Sequence, residues 1–326
     1  MTGLAVLVGW MGVFAPLPGW KLVAVAPGGG TFFYPSLVGP DGSFVGRGPS
    51  PFSTLWYRAT DQRLVVWDRG WNDDWQLDCG LGYVSFKVGD EYETYDLATG
   101  ELILRVPGPA HRVGLSIVGD KTWDLQSGRE VPAIPKTRLV WDTPRRRLGI
   151  QATERGYRVV EYEPGTIREI RSARHRWGLV DHVWGDPDTG PFALQATASN
   201  GMPMTEMYTF DLRNVLTDEW RIESWGPLGV IQKELKDKTS LPDQRYRLVD
   251  PQKGEVLWER DDLNGRLIRW DGSLILLSAG FKESYLDARG VPVSPPPDRQ
   301  RRVWEIGAGH AVNSRGGLVG VWRRAG

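Results

Sequence analysis

Apolar positions along this chain come in short runs and then stop. RLVVW at 63–67, GYVSFKV at 82–88, RLGIQAT at 147–153, PFALQAT at 191–197 and SLILLSA at 273–279 are such runs, separated by Gly, Asp, Asn or Pro. Some alternate apolar with polar residues, and others are nearly continuous. The helical spacing of three and four is almost absent. Many short strands with turn residues between them predict an all-β sandwich, barrel or propeller.

An internal repeat decides among these. YDLATGELIL at 95–104 reads as strand, tight turn, strand, and weaker copies stand at WDLQSGREV, 123–131, and LVDPQKGEVLW, 248–258. Asp96-x-x-Thr99-Gly100 matches Asp124-x-x-Ser127-Gly128 and Asp250-x-x-Lys253-Gly254. Asp287-Ala-Arg-Gly290 is a shortened form, and Glu163-Pro164-Gly165 and Asp211-Leu-Arg-Asn214 are degenerate ones. Asp caps such a turn through its side chain, and Gly supplies the positive φ that a short β-turn demands. Turn positions 100, 128, 165, 214, 254 and 290 are spaced by 28, 37, 49, 40 and 36 residues, a mean of 38. A four-stranded propeller blade takes about 40–45 residues.

Four-strand units are legible at 264–294, 137–170 and 76–106. The segment 176–225 parses similarly with GMPMTE as a longer loop, 36–68 and 226–260 complete the internal set, and 108–134 looks short of a strand. Strands near 302–324 are expected to join those near 3–35, closing the ring and removing free sheet edges. The expectation is one all-β domain over residues 1–326. It is a β-propeller of four-stranded antiparallel blades, eight by turn count, or seven if 108–134 is only part of a blade.

Asp250, Gly254 and Trp258 keep the spacing of Asp-x-x-Thr-Gly-x-x-x-Trp, with Lys253 at the Thr position. Asp96, Thr99 and Gly100 match its first half, with Leu104 where Trp is expected, and Asp124, Ser127 and Gly128 match loosely. The pattern resembles the repeats of PQQ-type propellers. Trp-Asp pairs at 67–68, 123–124, 141–142 and 270–271 resemble WD40 signatures, but no regular Gly-His partner precedes them. These pairs read as a shared way of ending a strand. The resemblances imply the propeller architecture. The quinone and calcium ligands of the PQQ dehydrogenases do not map onto this chain, and no cofactor is expected.

Charge narrows the partners. Forty Lys and Arg balance forty Asp and Glu, unlike the basic excess of a general nucleic-acid binder. The basic clusters Arg145-Arg146-Arg147, Arg299 with Arg301-Arg302, and Arg323-Arg324 are therefore expected to be solvated turns and connectors. A single cysteine, Cys79, permits no internal disulfide and no cysteine-based zinc site. The apolar N-terminus lacks a basic leader region and is interrupted by Gly and Pro, so it reads as strands rather than a signal peptide. No apolar run approaches the roughly 20 residues of a membrane helix.

Candidate chemistry is sparse. In WDRGWNDDWQLD, 67–78, Trp71 and Trp75 beside Asp73 and Asp74 would stack and bond a sugar or receive a cationic partner. The structural alternative is that these Trp rings fill gaps between blades. Asp186 and Asp188 before Gly190 are a weak calcium candidate, since further acidic ligands are missing and a hairpin turn explains them as well. His111, His175, His182 and His310 show no ligand spacing, though residues from separate blades would be able to converge on a channel. No nucleophile elbow, P-loop or dinucleotide fingerprint occurs. The expectation is a non-enzymatic module that binds proteins or serves as a structural scaffold. It would work in the cytoplasm or in an assembled particle such as a phage tail, virion or multiprotein complex. The alternatives are a hydrolase or lyase acting on sugars or lactones, and a glycan-binding, lectin-like propeller.

Overall fold

The computed structural model describes residues 14, 17–28, 35–50, 53–67, 81–234, 245–263, 267–271, 273–279, 282–294, 304–315 and 317–325. Among them there is no helix, and the strands form eight antiparallel sheets. Strand β1, Trp20–Pro27, opens the chain. The first sheet is β2 (Pro35–Val38), β3 (Phe44–Arg47), β4 (Thr54–Arg58) and β5 (Arg63–Trp67). The second is β6 (Tyr83–Val88), β7 (Glu91–Asp96) and β8 (Leu102–Pro107). The third is β9 (His111–Val113), β10 (Ser116–Val118), β11 (Thr122–Asp124) and β12 (Arg129–Val131). The fourth is β13 (Thr137–Asp142), β14 (Arg147–Thr153), β15 (Gly156–Tyr162) and β16 (Glu169–His175). The fifth is β17 (His182–Gly185), β18 (Phe192–Thr197), β19 (Pro203–Tyr208) and β20 (Asn214–Asp218). The sixth is β21 (Trp220–Gly226), β22 (Gly229–Glu234), β23 (Tyr246–Val249) and β24 (Val256–Arg260). The seventh is β25 (Leu267–Asp271), β26 (Leu274–Ala279), β27 (Lys282–Leu286) and β28 (Pro292–Val293). In the eighth, β29 (Trp304–Gly307), β30 (His310–Arg315) and β31 (Leu318–Arg324) are completed by β1, which pairs antiparallel with β31.

Up-and-down meanders that repeat along the chain, the last completed by the N-terminal strand, make this fold a β-propeller. The chain divides into two compact units. One holds Met1–Ala133 with Pro297–Gly326, and the other holds Ile134–Pro296.

Within each unit the middle strands carry the core, and alternation along a strand sends neighbours to opposite faces. Val230 and Val249 pack with Ala193, Met207 and Ile222 on one side of the sixth sheet. Their neighbours Ile231 and Leu248 pack with Ile268, Ile275, Leu277 and Leu286 on the other. The first sheet is built alike, with Phe44, Leu55 and Tyr57 in one cluster and Val45 and Trp56 in the next. Burial on both faces is why so many strands read as continuous apolar runs.

The repeated Asp turn joins the last two strands of a sheet. In the second sheet Gly100 N–H donates to Asp96 O (2.9 Å) while the Asp96 carboxylate accepts from Ala98 N (3.0 Å) and Thr99 N (2.8 Å). Gly100 sits at φ +78°, a region that L side chains rarely adopt. The same turns dock sheets together. Trp56 Nε1 donates to Leu97 O (2.8 Å) and Arg58 to Thr99 O (3.1 Å), so the first sheet grips the turn of the second. In the other unit Trp258 donates to Ala288 O (3.1 Å) and Arg260 to Gly290 O (2.5 Å), repeating the Trp-x-Arg grip on the seventh sheet.

Several sequence expectations need correction. Segment 108–134 has all four strands, each only three residues long. GMPMTE is no loop. Gly201 N–H closes the turn on Ala198 O (2.8 Å), and Pro203 opens β19, where a strand's first residue needs no ladder donor. Trp220–Gly226 begins the sixth sheet rather than ending the fifth. In the Asp211 turn the positive φ falls on Leu212, not Asn214. The predicted strand at 76–80 lies outside the described residues. The Trp-Asp pairs at 123–124, 141–142 and 270–271 do end strands β11, β13 and β25, and Trp67 ends β5.

Candidate functional site

Trp71, Asp73, Asp74 and Trp75 lie outside the described residues, as does the basic cluster at 299–302. Asp186 and Asp188 are placed in the hairpin between β17 and β18. Asp186 accepts from Asp188 N (3.0 Å) and Thr189 Oγ1 (2.7 Å), so its carboxylate caps its own turn. Asp188 Oδ1 accepts from Trp141 Nε1 (2.8 Å) and Thr143 Oγ1 (2.9 Å), tying the fourth sheet to the fifth. Among the described residues no group of three or more His, Cys, Asp or Glu is arranged to hold a metal ion. His111 begins β9, His182 begins β17, His310 begins β30 and His175 ends β16.

The Arg145-Arg146-Arg147 cluster is not a solvated turn. Arg145 is exposed, but Arg146 and Arg147 are buried. Arg146 donates to Pro187 O (2.5 Å), Phe210 O (2.6 Å) and Glu161 (2.8 Å), and its guanidinium lies 4.5 Å from the Phe210 ring centroid. Burial pushes its pKa down, opposed by Glu161. Arg147 forms a bidentate pair with buried Asp142 at 2.8 and 3.0 Å. The fork of donors on arginine satisfies several acceptors at once: Arg146 ties the fourth sheet to the fifth, while Arg147 bonds Asp142 and Thr166 O within the fourth sheet.

Two further buried clusters carry titratable groups. In the fourth and fifth sheets, Glu206 Oε2 takes a contact from His175 Nδ1 and a hydrogen bond from the Tyr208 hydroxyl (2.6 Å). Burial raises the Glu206 pKa, yet these bonds outweigh it and hold the carboxyl below the usual range. Burial, with Glu206 adding to it, pushes the Tyr208 hydroxyl strongly up. In the sixth sheet Arg247 spans Asp218 and Gln232 and stacks 4.2 Å from the Trp220 centroid. Burial raises the Asp218 carboxyl although Arg247 opposes it. All these side chains are largely buried, and their partners come from the surrounding strands. Their geometry suits stitching sheets together.

A groove of about 440 Å³ opens in the second unit. The 186–191 hairpin of the fifth sheet forms one wall. The 225–228 turn and the Asp250 turn of the sixth sheet form the rest, with Leu257 of β24. Its apolar lining is Trp225, Leu228, Leu257, Pro191, Pro227 and Pro251; its polar lining includes Asp186, Thr189, Asp250 and Gln252. Leu228 is 46% and Leu257 50% exposed. The walls are held firmly. Gly254 N–H closes on Asp250 O (2.8 Å), and Asp250 Oδ1 accepts from Gln252 N (2.8 Å). Trp225 packs onto the Gly185 backbone so closely that a Cβ there would meet its ring at 2.7 Å. Beyond the turn residues themselves nothing in the sequence announces this groove, since its walls come from separate sheets.

No family model matches the chain, and none of the curated proteins does. Among solved structures it is similar to BamB from Moraxella catarrhalis, at 16% identity and TM-score 0.48, over 93% of this chain and 99% of that one. It is also similar to a chain of a mitotic checkpoint complex, at 11% identity and TM-score 0.46, over 93% and 91%. A third is the Cps50 (Swd1) β-propeller domain of Myceliophteria thermophila, at 11% identity and TM-score 0.43, over 94% and 100%.

Proposed function

We propose that this chain is a non-enzymatic β-propeller, one domain over residues 1–326, that binds other proteins as a subunit of a larger assembly. The carrying observation is the turn-lined groove. It leaves Leu228 and Leu257 about half exposed on walls that their own hydrogen bonds hold in place. Exposed apolar surface gathered in a concavity marks an interaction site more often than a scattered single residue does. Its two carboxylates cap turns, an arrangement suited to shape and less to acid–base work. The partner is a protein; neither nucleic acid nor a membrane is part of this reading.

Native mass measurement of the protein isolated from its source, with the Leu228→Asp/Leu257→Asp double variant expressed in parallel, tests it. A defined complex that the variant fails to form supports the reading. A 36.6 kDa monomer for both chains, or a complex indifferent to the substitutions, rejects it.

A further inference from the structure

We infer that the groove takes an extended partner segment in which an arginine or lysine is flanked by aliphatic residues. This rests on the docking reading above and adds the chemistry of the occupant. The charged residues lining the groove are both acidic, Asp186 and Asp250. Among the described residues neither forms an ion pair, and each carboxylate accepts from its own turn: Asp188 N and Thr189 Oγ1 to Asp186, Gln252 N to Asp250. The basic residue of the Asp250 turn, Lys253, does not serve them, since its ammonium faces Glu255 at 3.9 Å. A cationic side chain entering the groove would therefore meet two carboxylates that form no ion pair among the described residues, beside the aromatic side chain of Trp225. An acidic segment or a nucleic-acid backbone would meet like charge.

The apolar part selects the neighbours of that cation. Leu228 and Leu257, with Pro191 and Pro227, leave aliphatic surface for branched side chains on either side of it. The groove is too small for a domain face and suits a few residues of chain. Leu257 lies on β24, the edge strand of the sixth sheet, and an edge strand suits an extended segment.

The test uses the full chain and a displayed library of random dodecapeptides. Selected clones are then measured against Leu228→Asp and Asp250→Asn. Asparagine keeps an oxygen for Gln252 N–H and removes only the charge. Leu228 is exposed, so its variant should fold, and circular dichroism with a second variant, Leu257→Asp, checks this. The expected result is clones rich in Arg or Lys beside Leu, Ile or Val, weakened at least about tenfold by Leu228→Asp. Asp250→Asn should weaken them by about three- to fivefold, and added salt should act in the same direction. Groove-dependent clones with no basic residue would overturn this inference and leave the docking reading standing. Clones indifferent to both Leu variants, or no clones at all, would overturn both.

Discussion

Two strands, β7 in one unit and β19 in the other, carry the same Glu-x-Tyr pattern at the same place before a turn and use it differently. Tyr95 and Tyr208 each stand directly before the residue that opens the turn to the last strand of the sheet. In both, the tyrosine hydroxyl reaches back two residues to a buried glutamate, Glu93 or Glu206. The cation differs. Glu93 pairs with Arg105 at 2.6 Å, its cross-strand neighbour on β8 of the same sheet, whose side chain is half exposed. Glu206 meets His175, buried on the last strand of the preceding sheet. The Glu93–Arg105 pair braces two strands of one sheet at the water's edge; the Glu206–His175 contact staples two sheets in a closed core. The local sequence is shared, and the environment decides what it does.

The largest expected effect is Glu206→Ala. It removes the acceptor of two fully buried donors that hold neighbouring sheets, and should cost about 3–5 kcal/mol in urea unfolding. Glu93→Ala should cost less, about 1–3 kcal/mol, because half-exposed Arg105 returns to water. Equal losses would break the distinction between staple and brace. Tyr208→Phe keeps the ring and deletes one bond to Glu206, so a loss of about 1 kcal/mol is expected in the same assay.

The smallest effect is on pH. Glu206 is held below the usual carboxyl range in the folded chain, so unfolding takes up its proton more readily than the folded state does. Its contribution is complete above the ordinary glutamate value and fades as pH falls through the lowered one. Urea midpoints between pH 6 and pH 3 should fall more steeply for the natural chain than for Glu206→Gln. Parallel curves would remove Glu206 from the acid response.

Much of the fold was legible because the turns are local. Asp96-x-x-x-Gly100 needs only its own five residues to close, so the repeat can be counted without tertiary contacts. Segment 108–134 misled because three-residue strands leave too little alternation to read. Pro203 misled because a proline that opens a strand looks like one in a loop. The sequence suggests solvated arginines at 146 and 147 because nothing nearby announces Pro187 O, Phe210 O or Thr166 O as their acceptors.

The chain by itself determined the strand class and the hairpin turns, since hydrophobic period and turn chemistry act over a few residues. Tertiary structure alone decided which polar residues became sheet-to-sheet staples and where apolar side chains stayed open. His175 and Glu206 lie 31 positions apart, and Asp186 and Leu257 lie 71 apart. Such encounters depend on how one sheet seats against the next, which is set by the packing of both faces at once and is written in no single stretch of the chain.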